Sequence, residues 1–286
     1  MPTSRRRYPL FLAALVPLTL LAGARDASAI TYASQVLANA PVAYWRLNEP
    51  GTSYPTASDS TTNHRDATYQ NQAHMHDTGP FTSDPTSFST RMDGGSSSYV
   101  EKSPDNAFTP GNSGWSVELW TNSQTSGTLV YWYQNGGASL NNGLYYLGVN
   151  SDGSFSYQFR DNPGISVSIN SGAIAGGLNA WHHVVGTYAP GVGMKIYVDG
   201  LLKNSNAQTF STIGEGVATS IDIGANPKQG QFGYQGKIAE VAIYSSALTG
   251  AQVLADYQAG IGVPEPGSML LVAAALLLAL ARPRGL

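Results

Sequence analysis

The 286-residue sequence contains no cysteine. Disulfides, thiolate nucleophiles and Cys-ligated zinc are excluded, as is a lipid anchor built on an N-terminal cysteine. Charge is scarce. Fifteen Lys and Arg against 18 Asp and Glu leave a formal net charge of −3, and no basic stripe runs through the body of the chain. Nucleic acid is therefore not an expected partner. Also missing are a Gly-x-Ser-x-Gly elbow, a Gly-rich phosphate loop with its Lys-Ser/Thr, and a Glu-x-Asp-x-x-Glu string of paired acids. No local motif points to an enzyme, and the chain is read as non-catalytic. No internal repeat is visible, and no helix-length periodic segment precedes Thr249. What is plentiful is Gly (32), Tyr (16), Ser, Thr and Asn, a composition that suits an exported β-protein better than a cytosolic helical one.

The N-terminus carries Arg5, Arg6 and Arg7, an apolar run from Leu10 to Ala22, and then Ala27-Ser28-Ala29. Charged end, short apolar middle and small residues at the cleavage site make a secretory signal. Cleavage by signal peptidase is expected after Ala29, leaving Ile30 first. The C-terminal stretch sets Pro264-Glu265-Pro266 before an apolar run from Met269 to Ala281, with Arg282 and Arg284 at its end. The prolines stop structure entering from the fold, and the Leu/Ala run favours helix. At about 1.5 Å per residue, that transmembrane-type helix falls short of a hydrocarbon core of roughly 30 Å. The arginines would hold the cytoplasmic side. This tail resembles the PEP-CTERM sorting signal of Gram-negative, exopolysaccharide-producing bacteria. The resemblance implies recognition by an exosortase, cleavage near the motif, transient inner-membrane association, and a final place at the cell surface or in the extracellular matrix. The expected organisation is thus a signal peptide (1–29), one domain (30–262) and a sorting tail (263–286).

Between the ends, period-two strands alternate with turn signals. Trp115, Val117 and Leu119 face one way, while Ser116, Glu118 and Trp120 face the other. Leu144–Val149 and Ser154–Arg160 are expected to join at Ser151-Asp152-Gly153. Trp181–Tyr188 reads as a strand, and Met194–Val198 leads into the hairpin signal Asp199-Gly200. Ile221–Ala225 and Lys237–Tyr244 complete the strands. Thr249 with Gln252 makes a capping box for one short helix ending at Gly260. The polar stretch from Asn48 to Pro85 reads as long loops.

Ala40–Asn48 (APVAYWRLN), Ser116–Trp120 (SVELW), Trp181–Tyr188 (WHHVVGTY) with Lys195–Gly200 (KIYVDG), and Gly236–Tyr244 (GKIAEVAIY) with Ser246–Thr249 (SALT) resemble, in order, the signatures of laminin-G-like, concanavalin A-like jelly rolls. The resemblance implies an all-β fold, a two-sheet antiparallel jelly-roll sandwich, with carbohydrate binding among its uses. It also raises calcium as a cofactor. Asp93 and Glu240 stand at acidic positions of the family pattern, and Asp59 is a plausible loop ligand. However, the string after Asp93 has serines where the family often has acids, and Ala239 stands in an acid's place, so oxygens that a hard cation needs are missing.

His74-Met75-His76-Asp77 is weighed as a transition-metal loop, but it lacks the third and fourth ligands of a zinc site. His182 and His183 point to opposite faces and cannot act together; one is expected inside and the other in solvent. Among the dense aromatics, Trp120 and Trp132 are the leading candidates for an exposed sugar-stacking platform, against the alternative that each is core. The reading that follows is a surface or matrix binding module for glycan or protein ligands. A structural matrix protein without a discrete ligand, and a glycosidase with scattered acids, stay open as alternatives.

Overall fold

In the computed structural model the residues described are 31–51, 56–71, 73–94, 98–109, 113–135, 143–160, 166–210, 217–227, 230 and 233–263. Ala29 and Pro264-Glu265-Pro266 lie outside them. The described strands form two antiparallel sheets. The first runs β14 (Leu201–Asn206), β13 (Gly193–Val198), β12 (Trp181–Ala189), β7 (Trp115–Ser123), β16 (Gln235–Tyr244), β5 (Phe88–Asp93) and β4 (His74–Thr78), with β1 (Ala43–Trp45) also paired to β16. The second runs β11 (Ser166–Asn170), β10 (Phe155–Arg160), β9 (Gly143–Val149), β8 (Gly127–Asn135), β15 (Val217–Ile223), β6 (Tyr99–Lys102), β3 (Ala67–Gln70) and β2 (Thr56–Ala57). Helix α1 (Tyr32–Ala38) precedes the strands and α2 (Gly250–Gly260) follows them.

The period-two pattern places the core. Trp115, Val117 and Leu119 enter the space between the sheets, where they meet Val130, Trp132, Tyr145, Leu147, Tyr157 and Phe159. Aromatic rings dominate this layer. Trp132 stacks on Tyr145 with centroids 5.6 Å apart, and Phe159 stacks on Tyr188 at 5.0 Å. Each such ring, fully buried, is worth ~1.5–3 kcal/mol of transfer free energy. Gly186 makes room for them: a Cβ there would lie 2.6 Å from the Tyr157 ring. The Asp199-Gly200 hairpin forms as expected, with φ of 53° and 75° at its two residues, the left-handed pair that such a turn needs.

Three expectations are corrected. The stretch expected to be loops contains β2, β3 and β4; these strands are short and polar on their outer side, so they carry little apolar alternation. His74–Asp77 is accordingly part of an edge strand, with His74 2.6 Å from Asp93 and the His76 ring stacked on Phe88. A helix also precedes the strands: α1 is capped by Thr31, whose side chain accepts from the Ser34 amide. At 7 residues it is too short to show a helical period.

Both helices lie against the outer face of the first sheet. The side chains that the alternation turns away from the sandwich core are therefore not solvated. They pack in a second cluster with Tyr32, Val36, Phe81, Tyr197, Leu248 and Val253. The molecule has three layers in this region, helices over sheet over sheet, and its polar chemistry is concentrated between the first two.

Candidate functional site

Strand β16 changes partners along one edge. Its first half pairs with β5 (Ile238 with Thr90) and its second with β1 (Val241 with Trp45). At the junction the register against β7 slips between Ala239 and Ala242, and Glu240 takes φ of +58°. A side-chain-bearing residue in that region costs on the order of 1–3 kcal/mol unless its surroundings hold it there. Here they do. The Glu240 amide donates to the Arg46 carbonyl at 3.1 Å. Its buried carboxylate accepts from the Tyr44 hydroxyl, from Arg46 Nε at 3.2 Å and from Arg46 Nη2 at 3.0 Å.

Glu118, one strand away on β7, is equally enclosed. Its Oε1 accepts from the Tyr32 hydroxyl at 2.8 Å and lies 2.7 Å from His183 Nε2; its Oε2 accepts from the Tyr244 hydroxyl at 2.5 Å. Helix α1 is thus tied to the sheet through Tyr32, and removal of the carboxylate would leave three buried partners unmatched. Asp256 of α2 completes the set, with Asn39 Nδ2 donating to both of its oxygens at 2.8 and 2.9 Å. Burial first, and the Glu118 charge second, push the Asp256 carboxyl up to about 9. Burial likewise pushes Glu240 up, against the pull of Arg46. The phenols of Tyr32, Tyr44 and Tyr244 are driven well above the usual tyrosine range, first by burial and then by the neighbouring carboxylates. They remain hydroxyl donors at any physiological pH.

Arg46 links this interior to the surface. Its Nη2 reaches toward Asp84 Oδ2 at 3.6 Å, and about a fifth of the Arg46 side chain and a third of the Asp84 side chain are exposed. They stand at a cleft of about 500 Å³ between the start of α1 (Thr31, Tyr32, Ala33), the β4–β5 loop (Phe81 to Thr86) and the end of α2 (Ala259, Gly260, Gly262). The loop is set by its own bonds. Asp84 Oδ1 accepts from the Thr86 amide and hydroxyl at 2.8 and 2.7 Å, and Ser87 Oγ accepts from the Phe81 amide at 3.0 Å. No unusual motif marks these residues in the sequence. Arg46 is one polar residue within the opening signature, and Asp84 belongs to the stretch that reads as loop.

The aromatic candidates fall elsewhere. Trp132 is 1% exposed within the sandwich core, and Trp120 is 3% exposed beneath Phe81, Tyr257 and Gly260. Neither presents a ring to the surface, because both faces of the first sheet and the inner face of the second are covered. The calcium candidates are not brought together either. Asp59 accepts from the amides of Tyr44, Thr61 and Arg65; Asp93 pairs with His74; Glu240 is held by Arg46 and Tyr44. Among the described residues no group of three or more His, Asp and Glu side chains could hold a metal ion. His182 and His183 do face opposite sides, yet both are buried. His182 sits between Asp199 Oδ2 at 2.9 Å and the Gly177 carbonyl at 3.1 Å, so the expectation of one solvated ring is corrected.

A laminin G-type family model, described as the concanavalin A-like lectin/glucanases superfamily, matches residues 93–254, more than half of the chain. The chain belongs to this superfamily. No curated protein matches it in sequence. Among solved structures, this concanavalin A-like domain is similar to the binding domain of paraclostridial mosquitocidal protein 1, with a TM-score of 0.56 and 14% identity over 73% of this chain and 50% of that one. It is also similar to the botulinum neurotoxin serotype D ligand binding domain solved with N-acetylneuraminic acid (TM-score 0.53, 14% identity, 79% and 52% of the two chains). The sialidase of Trypanosoma rangeli shares the fold too (TM-score 0.55, 14% identity, 76% and 32%). The chain spans about half or less of each of these neighbours. Ligand-binding domains and one enzyme thus share its architecture.

Proposed function

We propose that the domain is a non-catalytic binding module for an extracellular glycan or protein ligand. In this reading it is exported through the signal at residues 1–29, with cleavage after Ala29. It is then processed by an exosortase at the tail headed by Pro264-Glu265-Pro266, and it ends at the cell surface or in the matrix. The observation that carries the binding role is the contrast between sealed acids and an open cleft. Glu118 and Glu240 are each 0% exposed, with their oxygens committed to internal donors, so neither can reach a bond to be cleaved. Arg46 and Asp84 are open to a cleft and offer donors and an acceptor. That pairing suits recognition more than turnover. The ligand-binding character of several neighbours of the same fold supports the reading.

The test is a glycan array and a panel of extracellular proteins probed with the full chain, with calcium and again with EDTA. Saturable binding in either buffer, without release of reducing sugar from polymers, is expected. Binding lost in EDTA would bring a calcium site at Asp59, Asp93 or Glu240 back into consideration. Sugar release would overturn the non-catalytic reading, and no binding to either panel would favour a structural matrix role.

A further inference from the structure

We propose that the outer surface of the α1–α2 layer is a docking face for a lipid bilayer, on which the domain lies while its tail is still held in the membrane. This rests on the tail-tethered export reading. Three observations lead to it. First, neither helix turns a charge outward. α1 (YASQVLA) has no charged residue, and in α2 (GAQVLADYQAG) the one carboxylate, Asp256, is 0% exposed. A helix on a solvated surface normally sets charged side chains opposite its buried stripe. Second, large apolar side chains stand there instead. Leu37, Leu202, Leu254, Ile261 and Val263 are each between 38% and 52% exposed, five of the seven large hydrophobics so exposed among the described residues. Scattered singly they would mean nothing, but they are tied together. Leu254 and Ile261 are two turns apart on one stripe of α2. A Cβ on Gly200 would lie 3.0 Å from Leu254 Cδ1, so α2 touches the hairpin that leads into Leu202, and Leu202 pairs with Tyr197 of the helix-side cluster. Asn39 bonds to both Gln252 and Asp256 of α2, which sets the Leu37 turn of α1 beside the Leu254 turn. A contiguous apolar patch of this kind marks a protein or membrane contact.

Third, the attachment of the tail decides between lipid and protein. The apolar run begins at Met269, six positions after Val263. Six residues span at most about 20 Å, so a tail held in a bilayer keeps this side of the domain next to the membrane surface. Tethering raises the effective concentration of lipid at the face, and a contact too weak to form from solution then suffices. A second copy of the chain has no such advantage. The charged groups near the layer stand at its margins. Arg46, Asp84 and the amino terminus that cleavage after Ala29 creates beside Thr31 lie along the cleft, and Asp199 and Lys203 flank the β13–β14 hairpin. A helix lying in the interface keeps its polar groups among the headgroups in the same way, with its apolar side chains below them.

The test uses the full chain in phosphatidylethanolamine–phosphatidylglycerol vesicles that carry a shallow spin-labelled lipid. The chain has no cysteine, so a single cysteine takes an environment-sensitive fluorophore at one place. Three are compared: Ala251→Cys on the exposed side of α2, Ser168→Cys on the exposed side of β11 in the other sheet, and Ala274→Cys in the apolar run. Ala251 stands about 14 Å along α2 from Gly260, so a label there reports a face lying on the bilayer and not the tail root alone. Blue-shifted emission with lipid quenching is expected at Ala251 and Ala274 and neither at Ser168. Leu37→Gln with Leu254→Gln should remove the quenching at Ala251 and leave that at Ala274. Gln keeps the stem length and the helix propensity, and neither leucine belongs to a core cluster, so the thermal melt should not move. An Ala251 label as unquenched as Ser168, with Ala274 quenched, would overturn the face and keep the tether, as would Ala251 quenching that the double variant retains. A blue shift at Ala251 without lipid quenching would overturn the lipid assignment in favour of a protein cover: a second copy if the shift fades on dilution, the tail if it does not. No quenching at Ala274 would remove the tethered reading beneath it.

Discussion

Asp256 lies wholly inside the protein, and its carboxyl is pushed up to about 9 by burial and by the Glu118 charge. A carboxyl raised in the folded state binds its proton more tightly there than in the unfolded chain. Its contribution is therefore fully present below the unfolded value near 4 and is lost as pH rises toward about 9. One such group supplies a slope of at most about 1.4 kcal/mol per pH unit. The urea midpoint should fall between pH 5 and pH 9, and Asp256→Asn should flatten the fall and raise stability at the alkaline end. It should not level it, because Glu240 is raised by its own burial in the same direction. A variant whose midpoint falls in parallel with the wild type would show that Asp256 is ionised in the fold. At this scale the sequence was least informative. Alternation correctly separates Ser116, Glu118 and Trp120 from the core residues of β7, but nothing local says that helices cover them. A lone Glu between Ser and Trp therefore carries no local sign that it is the hub of a buried network.

At the scale of elements, α2 reaches the sheet through a missing side chain. A Cβ on Gly260 would stand 2.6 Å from Trp120 Cζ2 and 3.0 Å from Phe81 Cε1, so the last turn of the helix closes onto the indole only because that position is glycine. Gly260→Ala should destabilise by ~1–3 kcal/mol as the turn lifts, and its signature is a change in Trp120 fluorescence together with a lower melting temperature; an unshifted melt would mean that the helix end yields freely. The elements themselves were largely legible. The capping box at Thr249 and Gln252, the Asp199-Gly200 hairpin and the long strands carry strong local signals, and each forms. The strands between Asn48 and Pro85 did not, because strands of only two to five mostly polar residues have no period to read. The Trp120 and Trp132 candidates failed for a related reason. Composition shows that aromatics are dense, but only the packing shows that a sandwich with one helix-covered face needs so many of them inside.

For the whole molecule, the decisive feature is the place of β16. It lies between β7 and both β5 and β1, and it joins residues from opposite ends of the chain: the Tyr44–Glu240 bond spans 196 positions. Such contacts form only after long loops close, so folding should be slow, on the millisecond-to-second scale of sandwich proteins. A chain ending before Gln235 loses a central strand and should show no native tertiary signal and no protease-resistant core, whereas a merely subtractive loss of one strand would leave the second sheet protected in hydrogen exchange. The order of signatures along the sequence was enough to read this architecture, since each belongs to a strand whose neighbours are set by the superfamily fold.

Thr31 and Gly262 line the same cleft, so the chain enters and leaves the fold at one place. A unit built that way resembles a plug with both leads at one end. It can be set into a surface loop of another protein without prising its host apart. It can hang from a single tether on its helix-covered side, and whatever settles in the cleft lies beside the root of that tether.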